Sequence, residues 1–183
     1  MTTLFRALRS GRTVLVAAAF GFLFLLGCKD IPPAGGTKPA AAPATAKAAG
    51  KTDFQLASID GRKLGPKSFP GQVVVVDFWA TWCMPCKLQA EILEPIYRDY
   101  KGRGVQFLAT NVGEEPDEVK KFLKDKPFPY PVLLDPEQKT AEGLGIIALP
   151  TLLVVDKKGQ VSYFESGIAD GDTLRGILKK AGA

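Results

Sequence analysis

The sequence predicts an α/β protein with a mixed central sheet flanked by helices and an extended N-terminal extension. Three observations carry that prediction. The run Val73-Val74-Val75-Val76-Asp77-Phe78 has the β-branched enrichment of a strand buried on both faces. After Cys83, the residues Leu88, Ile92, Ile96 and Tyr100 fall at four-residue spacing, close to the period of a helix with one buried face. Further short apolar runs alternate with helical patterns and end in a hairpin, the element order of a sheet that mixes parallel and antiparallel strands.

Taken in order, Phe54-Gln55-Leu56-Ala57 reads as a short strand, followed by the Asp60-Gly61 turn and an extended piece at Lys63-Leu64. The Val73–Phe78 strand belongs at the centre of the sheet and runs into a helix that starts at Cys83 and continues to Tyr100. Pro95 lies inside that helix and predicts a kink or a missing i→i−4 bond, and Gly102 and Gly104 mark the end. Val105 to Thr110 is the next strand, and Asp117 to Lys124 a short helix with Val119, Phe122 and Leu123 inward. Val132-Leu133-Leu134 is a strand, and Glu137 to Leu144 a helix ending at Gly143 or Gly145. Thr151–Val155 and Val161–Phe164 flank Asp156-Lys157-Lys158-Gly159 as an antiparallel hairpin. Asp172 to Lys180 closes the chain as a helix with Leu174, Ile177 and Leu178 inward. Roughly 130 residues from position 52 onward are enough for one hydrophobic core.

The N-terminal part has a different character. Arg6, Arg9 and Arg12 precede an almost wholly apolar run from Val14 to Leu26, and no acidic residue occurs before Cys28. A basic segment followed by roughly 13 apolar residues reads as an export signal over residues 1–27, shorter than the about 20 residues of a membrane span. Leu25-Leu26-Gly27-Cys28 resembles the bacterial lipoprotein signal, which implies lipid attachment at Cys28 and a periplasmic lipoprotein on the extracytoplasmic face of a bacterial membrane. An uncleaved anchor with an incidental cysteine is the alternative, and it tethers the protein outside the cytoplasm as well. Lys29 leans toward the outer membrane by a sorting habit that varies between lineages, so inner against outer membrane stays open. Residues 28–51, rich in Ala and Pro, read as a lipid-anchored flexible linker, with a binding tail as the less favoured reading, and residues 52–183 as the folded domain.

Charge and composition exclude several functions. The formal net charge of +5 includes the three arginines of the signal. Without them it is +2, too little asymmetry for nucleic-acid binding. With no histidine in the chain, His-based metal sites and His acid–base chemistry are excluded. Two nearby cysteines without further matching ligands make a weak zinc site, so no metal or cofactor is expected.

Cys83 and Cys86 lie where the strand meets the helix, which puts the first sulfur at a helix N-terminus among unpaired backbone N–H groups that favour a thiolate. A redox dithiol is the leading reading, although a bare Cys-x-x-Cys also fits half a zinc site or an ordinary disulfide. Pro85 suits the first helical turn, where its missing N–H does little harm. Asp77 interrupts an apolar strand, and a buried carboxylate there is costly unless protonated, hydrated or paired; a strand-end, solvent-facing aspartate is the plainer alternative.

Trp82-Cys83-Met84-Pro85-Cys86 and Ile147-Ala148-Leu149-Pro150-Thr151, with Asp77 before them, resemble the thioredoxin superfamily over nearly all of residues 52–181. The export signal, the tether and Phe54-Gln55-Leu56 narrow the likeness to membrane-tethered extracytoplasmic reductases of the TlpA and ResA type. The resemblance implies a thioredoxin-like fold and a thiol–disulfide oxidoreductase that reduces extracytoplasmic protein disulfides and is recharged by a membrane electron donor of the thiol–disulfide reductase type. Cys83 is then the attacking thiolate, Cys86 the better-shielded resolving cysteine, and Asp77 the acid that exchanges a proton with Cys86. Met84-Pro85 tunes the potential; Trp79, Trp82 and Phe78 place aromatic area around the motif, of which Trp82 shapes the docking rim and Phe78 is plain core. Pro150 is expected cis, leaving Leu149 to present its backbone to an extended substrate, and Gly167 allows close substrate approach. From local sequence alone Pro150 also fits an ordinary strand start, and Gly167 a turn glycine.

One departure weakens the assignment to cytochrome c maturation. Many TlpA- and ResA-type proteins carry glutamate where this chain has Gln89, and proline where it has Glu91. Apocytochrome cysteines, copper-site cysteines and general periplasmic thiols remain as substrates. A copper or haem chaperone on the same fold is the alternative function, although Met84 is the only nearby extra soft ligand. A thiol peroxidase lacks its Thr-x-x-Cys pattern here.

Overall fold

The computed structural model describes residues 52–183; the expected export signal at 1–27, Cys28 and the linker up to residue 51 lie outside the described residues. The elements in chain order are β1 (Leu56–Ser58), β2 (Lys63–Leu64), a 3-10 turn (Pro66–Ser68), β3 (Val73–Trp79), α1 (Met84–Tyr100), β4 (Val105–Val112), α2 (Pro116–Asp125), β5 (Val132–Asp135), α3 (Lys139–Leu144), β6 (Thr151–Val155), β7 (Val161–Ser166) and α4 (Gly171–Ala181). The strands form one seven-stranded sheet in the order β2-β1-β5-β4-β3-β6-β7. β3, β4 and β5 run parallel, while β6, β7, β1 and β2 join through antiparallel pairs. This is the expected thioredoxin-like mixed sheet, with the extended β1–β2 piece on one edge.

The strand side chains divide between two cores. Val73, Val75 and Trp79 of β3, Val105, Phe107 and Ala109 of β4, and Leu152 and Val154 of β6 pack with α1, α2 and α4. Val74, Val76 and Phe78, with Leu108, Leu133, Leu153 and Val155, pack on the opposite face with α3 and the segment containing Phe54, Leu56 and Phe69. Alternation along each strand is what sends successive residues to opposite faces, and a strand covered on both sides must be apolar throughout. Each of the fully buried valines of β3 contributes about 1.5–3 kcal/mol of transfer free energy, which fixes its register against β4 and β6.

One expectation about α1 changes. Its buried residues are Cys86, Gln89, Leu93, Ile96 and Tyr100, whereas Leu88 is half exposed. A strict four-residue row drifts about 40° around the helix at each step, so a row that starts from Tyr100 has rotated toward solvent by Leu88. Pro95 sits on the exposed side, where its missing N–H leaves one i→i−4 bond unmade as expected, and the helix continues across it to Tyr100. The remaining helices end as expected, with Gly145 in the left-handed conformation at the C-terminus of α3.

Candidate active site

β3 delivers the chain at its carboxyl end to a turn from Ala80 to Cys83, closed by the Cys83 N–H donating to the Ala80 carbonyl at 3.2 Å. Cys83 is the N-cap of α1, and its Sγ accepts a hydrogen bond from the Cys86 N–H at 3.3 Å. Pro85 occupies the first turn, where no helical hydrogen bond is lost. Cys83 and Cys86 form a disulfide with their Cα atoms 5.3 Å apart. In the reduced protein the same N–H and the helix dipole favour negative charge on the Cys83 sulfur.

Shielding separates the two cysteines less than expected, since Cys83 is 3 % and Cys86 2 % exposed while their sulfurs are joined. Their surroundings differ more. Cys83 lies between Trp82, 71 % exposed, and the exposed Met84. Cys86 lines a groove with Trp79, Lys87, Phe122, Phe128 and Tyr130.

Asp77 is buried in the middle of the sheet, beside Ala109 of β4 and Leu152 of β6. The solvent-facing alternative is therefore excluded. Strand alternation puts it on the Val75 and Trp79 face, the one covered by α1, in which Cys86 is also packed. Neither carboxyl oxygen has a hydrogen-bond partner, and burial pushes its pKa up from 3.8 to about 7. Tyr130 is buried nearby; burial first, and then the charges of Asp77, Glu94 and Tyr97, raise its hydroxyl well above the ordinary phenol range.

The Leu149–Pro150 peptide bond is cis, as the motif implied. The Gly167 N–H donates to the Pro150 carbonyl at 2.7 Å, which joins the loop after β7 to the loop before β6. Thr151 Oγ1 donates to the Ala148 carbonyl at 2.7 Å, so in the 2.8 Å contact between the two hydroxyls it accepts from Ser166. Gly167 has φ 106 with open space around its Cα, so its backbone conformation alone calls for glycine. The exposed large apolar residues among those described are Trp82, Met84, Leu88, Ile147 and Ile168, and all come from the segments that carry the dithiol, Pro150 and Gly167.

Phe78 is core, as expected, in the cluster on the face of the sheet away from the dithiol, with its ring 6.3 Å from that of Phe54. Trp79 is on the dithiol face, stacked at an angle against Phe122 and Phe128 at 5.3 and 4.8 Å. Gln89 is completely buried, and its Oε1 accepts from the Ala169 N–H at 2.7 Å. The residue singled out as a departure thus ties α1 to the loop that follows Gly167.

Sequence reasoning missed Glu114. Its carboxylate, on the loop after β4, accepts from the Thr81 N–H at 2.7 Å, from the Thr81 hydroxyl, and from Asn111 Nδ2 at 2.7 Å. The available signal was an amide and an acid around Gly113 at the carboxyl end of a strand adjacent to β3, the end of an α/β sheet where sites collect. Among the described residues no group of three or more His, Cys, Asp or Glu side chains is placed to hold a metal ion.

Residues 40–178 match the Redoxin family model. The chain is 34% identical over 137 residues to the thiol-disulfide oxidoreductase ResA of Geobacillus thermodenitrificans, covering 74% of this chain and 79% of that protein. It is 33% identical over 128 residues to the ResA of Bacillus thuringiensis subsp. konkukian, covering 70% and 74%. Among solved structures, the exposed lipoprotein thioredoxin of Streptococcus pneumoniae superposes with a TM-score of 0.63 at 27% identity, over 69% of this chain and 98% of that one.

Proposed function

Because this chain belongs to the redoxin family and is a thiol–disulfide oxidoreductase with Cys83–Cys86 as its redox disulfide, we propose that it reduces disulfides of proteins outside the cytoplasm. The observation that carries the chemistry is the position of Cys83 as helix N-cap with the Cys86 N–H directed at its sulfur. In the reduced protein the Cys83 thiolate attacks one sulfur of a substrate disulfide, forming a mixed disulfide and releasing the first substrate thiolate. Cys86 then gives its thiol proton to Asp77 and attacks the Cys83 sulfur. The intramolecular disulfide forms, the second substrate thiolate leaves, and two electrons have passed to the substrate.

The exposed apolar rim of Trp82, Met84 and the neighbouring loops receives the substrate, and Pro85 holds the turn. Leu149 and cis-Pro150 offer a backbone edge to an extended chain, with Gly167 beside them. A membrane donor of the thiol–disulfide reductase type restores the dithiol. The proposed organisation is a signal over residues 1–27, a lipid-anchored linker over 28–51 with lipid on Cys28, and the catalytic domain over 52–183. The basic and apolar leader supports this location, as does the likeness to a pneumococcal lipoprotein.

The test is covalent trapping. Cys86→Ala retains substrates on Cys83 as mixed disulfides, and mass spectrometry of the adducts identifies them. The reading is abandoned if no adduct forms and the wild-type protein does not turn over a protein disulfide. A redox potential near the about −270 mV of a thioredoxin supports a reductant, and one near the about −120 mV of a strong periplasmic oxidant contradicts it.

A further inference from the structure

We infer that Glu114 is a positioning residue for the attacking cysteine, acting through Thr81; the inference rests on the redox reading of Cys83. The turn from Ala80 to Cys83 contains one internal backbone hydrogen bond, from the Cys83 N–H to the Ala80 carbonyl. A single backbone hydrogen bond, made at the expense of bonds to water, is too weak to hold an exposed aromatic rim and a nucleophile in one geometry. Glu114 supplies the rest. One carboxylate oxygen accepts from the Thr81 N–H at 2.7 Å and from Asn111 Nδ2 at 2.7 Å, and the other accepts from the Thr81 hydroxyl.

Both ends of this clasp are anchored. Asn111 lies in β4, fully buried, and its Cα is paired with Trp79, the last residue of β3. Glu114 is itself buried, and it follows Gly113, which adopts a positive φ of 77. The loop after β4 is thereby turned back across the end of the sheet onto the residue two positions before Cys83. Thr81 is held through both its backbone and its side chain, so rotation of the turn breaks two bonds to one carboxylate at once. Trp82 and Cys83 follow directly, and their placement determines where a substrate disulfide meets the sulfur. A nucleophile displaced by about 1 Å loses much of its rate, which is why hydrogen bonds remote from the reacting atoms affect catalysis.

The experiment compares full-length wild type with Glu114→Leu, Thr81→Val and Thr81→Ser in dithiothreitol-driven reduction of insulin, normalised to folded protein. It also measures the equilibrium constant of the Cys83–Cys86 pair with dithiothreitol. Positioning predicts that kcat/KM falls about tenfold in Glu114→Leu and about threefold in Thr81→Val, and that Thr81→Ser restores it to within about twofold of wild type. It also predicts that Glu114→Leu/Thr81→Val is no slower than Glu114→Leu alone, because both changes open the same clasp. The dithiol equilibrium constant shifts in the variants that lose rate.

A scaffold role alone predicts lower resistance to denaturant with kcat/KM and the equilibrium constant unchanged, and that result overturns the inference. Should Glu114→Leu fail to fold, equal rates for Thr81→Val and Thr81→Ser overturn it. Failure of the wild type to reduce insulin counts against the reductase reading instead, and the equilibrium constant of the protein's own dithiol still tests the clasp.

Discussion

Asp77 is the residue whose environment most constrains its chemistry. Its carboxyl has no partner and is raised to about 7, so near neutral pH it is divided between acid and carboxylate. A group balanced in that range can take the Cys86 proton and return it in the next cycle. Under the proposed role, Asp77→Asn slows disulfide reduction on the order of tenfold or more near pH 7 and removes the rate inflection there. An unchanged pH–rate profile for that variant eliminates the role. Stability gives an independent reading. Between about pH 4 and pH 7 the native state keeps a proton on Asp77 that the unfolded chain has released, so this group lowers stability as pH rises and its full penalty applies above pH 7. Asp77→Asn should therefore stabilise the oxidised protein by on the order of 2–4 kcal/mol at pH 8 and by much less at pH 4, measured by denaturant titration.

At the scale of elements, α1 joins two requirements: it presents Cys83 at its N-terminus, and it covers the sheet through Leu93, Ile96 and Tyr100. Gln89 links these functions, since it is buried under the helix and accepts from the Ala169 N–H beyond the Gly167 loop. Pro95 supports neither. It lies on the solvent side, and its missing N–H leaves one i→i−4 bond of the helix unmade. Pro95→Ala should raise stability by about 1–2 kcal/mol in a denaturant titration, with the dithiol equilibrium constant unchanged. A destabilised variant would mean that the proline's ring packing or its restriction of the unfolded chain outweighs the restored bond.

At the scale of the whole molecule, every strand of the sheet lies at or beyond Leu56, and the two cores draw only on residues from Phe54 onward among those described. The proposed division of the chain predicts that a fragment beginning at residue 52 folds, unfolds in a single cooperative transition, and shows the dithiothreitol equilibrium constant of the full chain. A fragment that fails to fold or shifts the equilibrium assigns the preceding residues a part in the catalytic domain.

Much of this was legible in the residues themselves. Val73 to Phe78, the hairpin around Asp156–Gly159 and the terminal helix are strongly patterned, because a strand buried on two faces and a helix buried on one leave different periods in the chain. The dithiol was legible from its place at a strand–helix junction, whereas the cis state of Pro150 was legible only through the resemblance of Ile147–Thr151 to the thioredoxin superfamily, since an ordinary strand start fits the same residues. The sequence by itself thus determined the fold class, the Cys83–Cys86 pair and the candidate acid at Asp77. What only the tertiary structure decided is which polar groups meet. Glu114 reaches Thr81 across 33 positions and Gln89 reaches Ala169 across 80. Periodicity assigns a side chain to a face of its own element. The partner on the next element depends on sheet order and register, and those are set by the packing of the whole molecule.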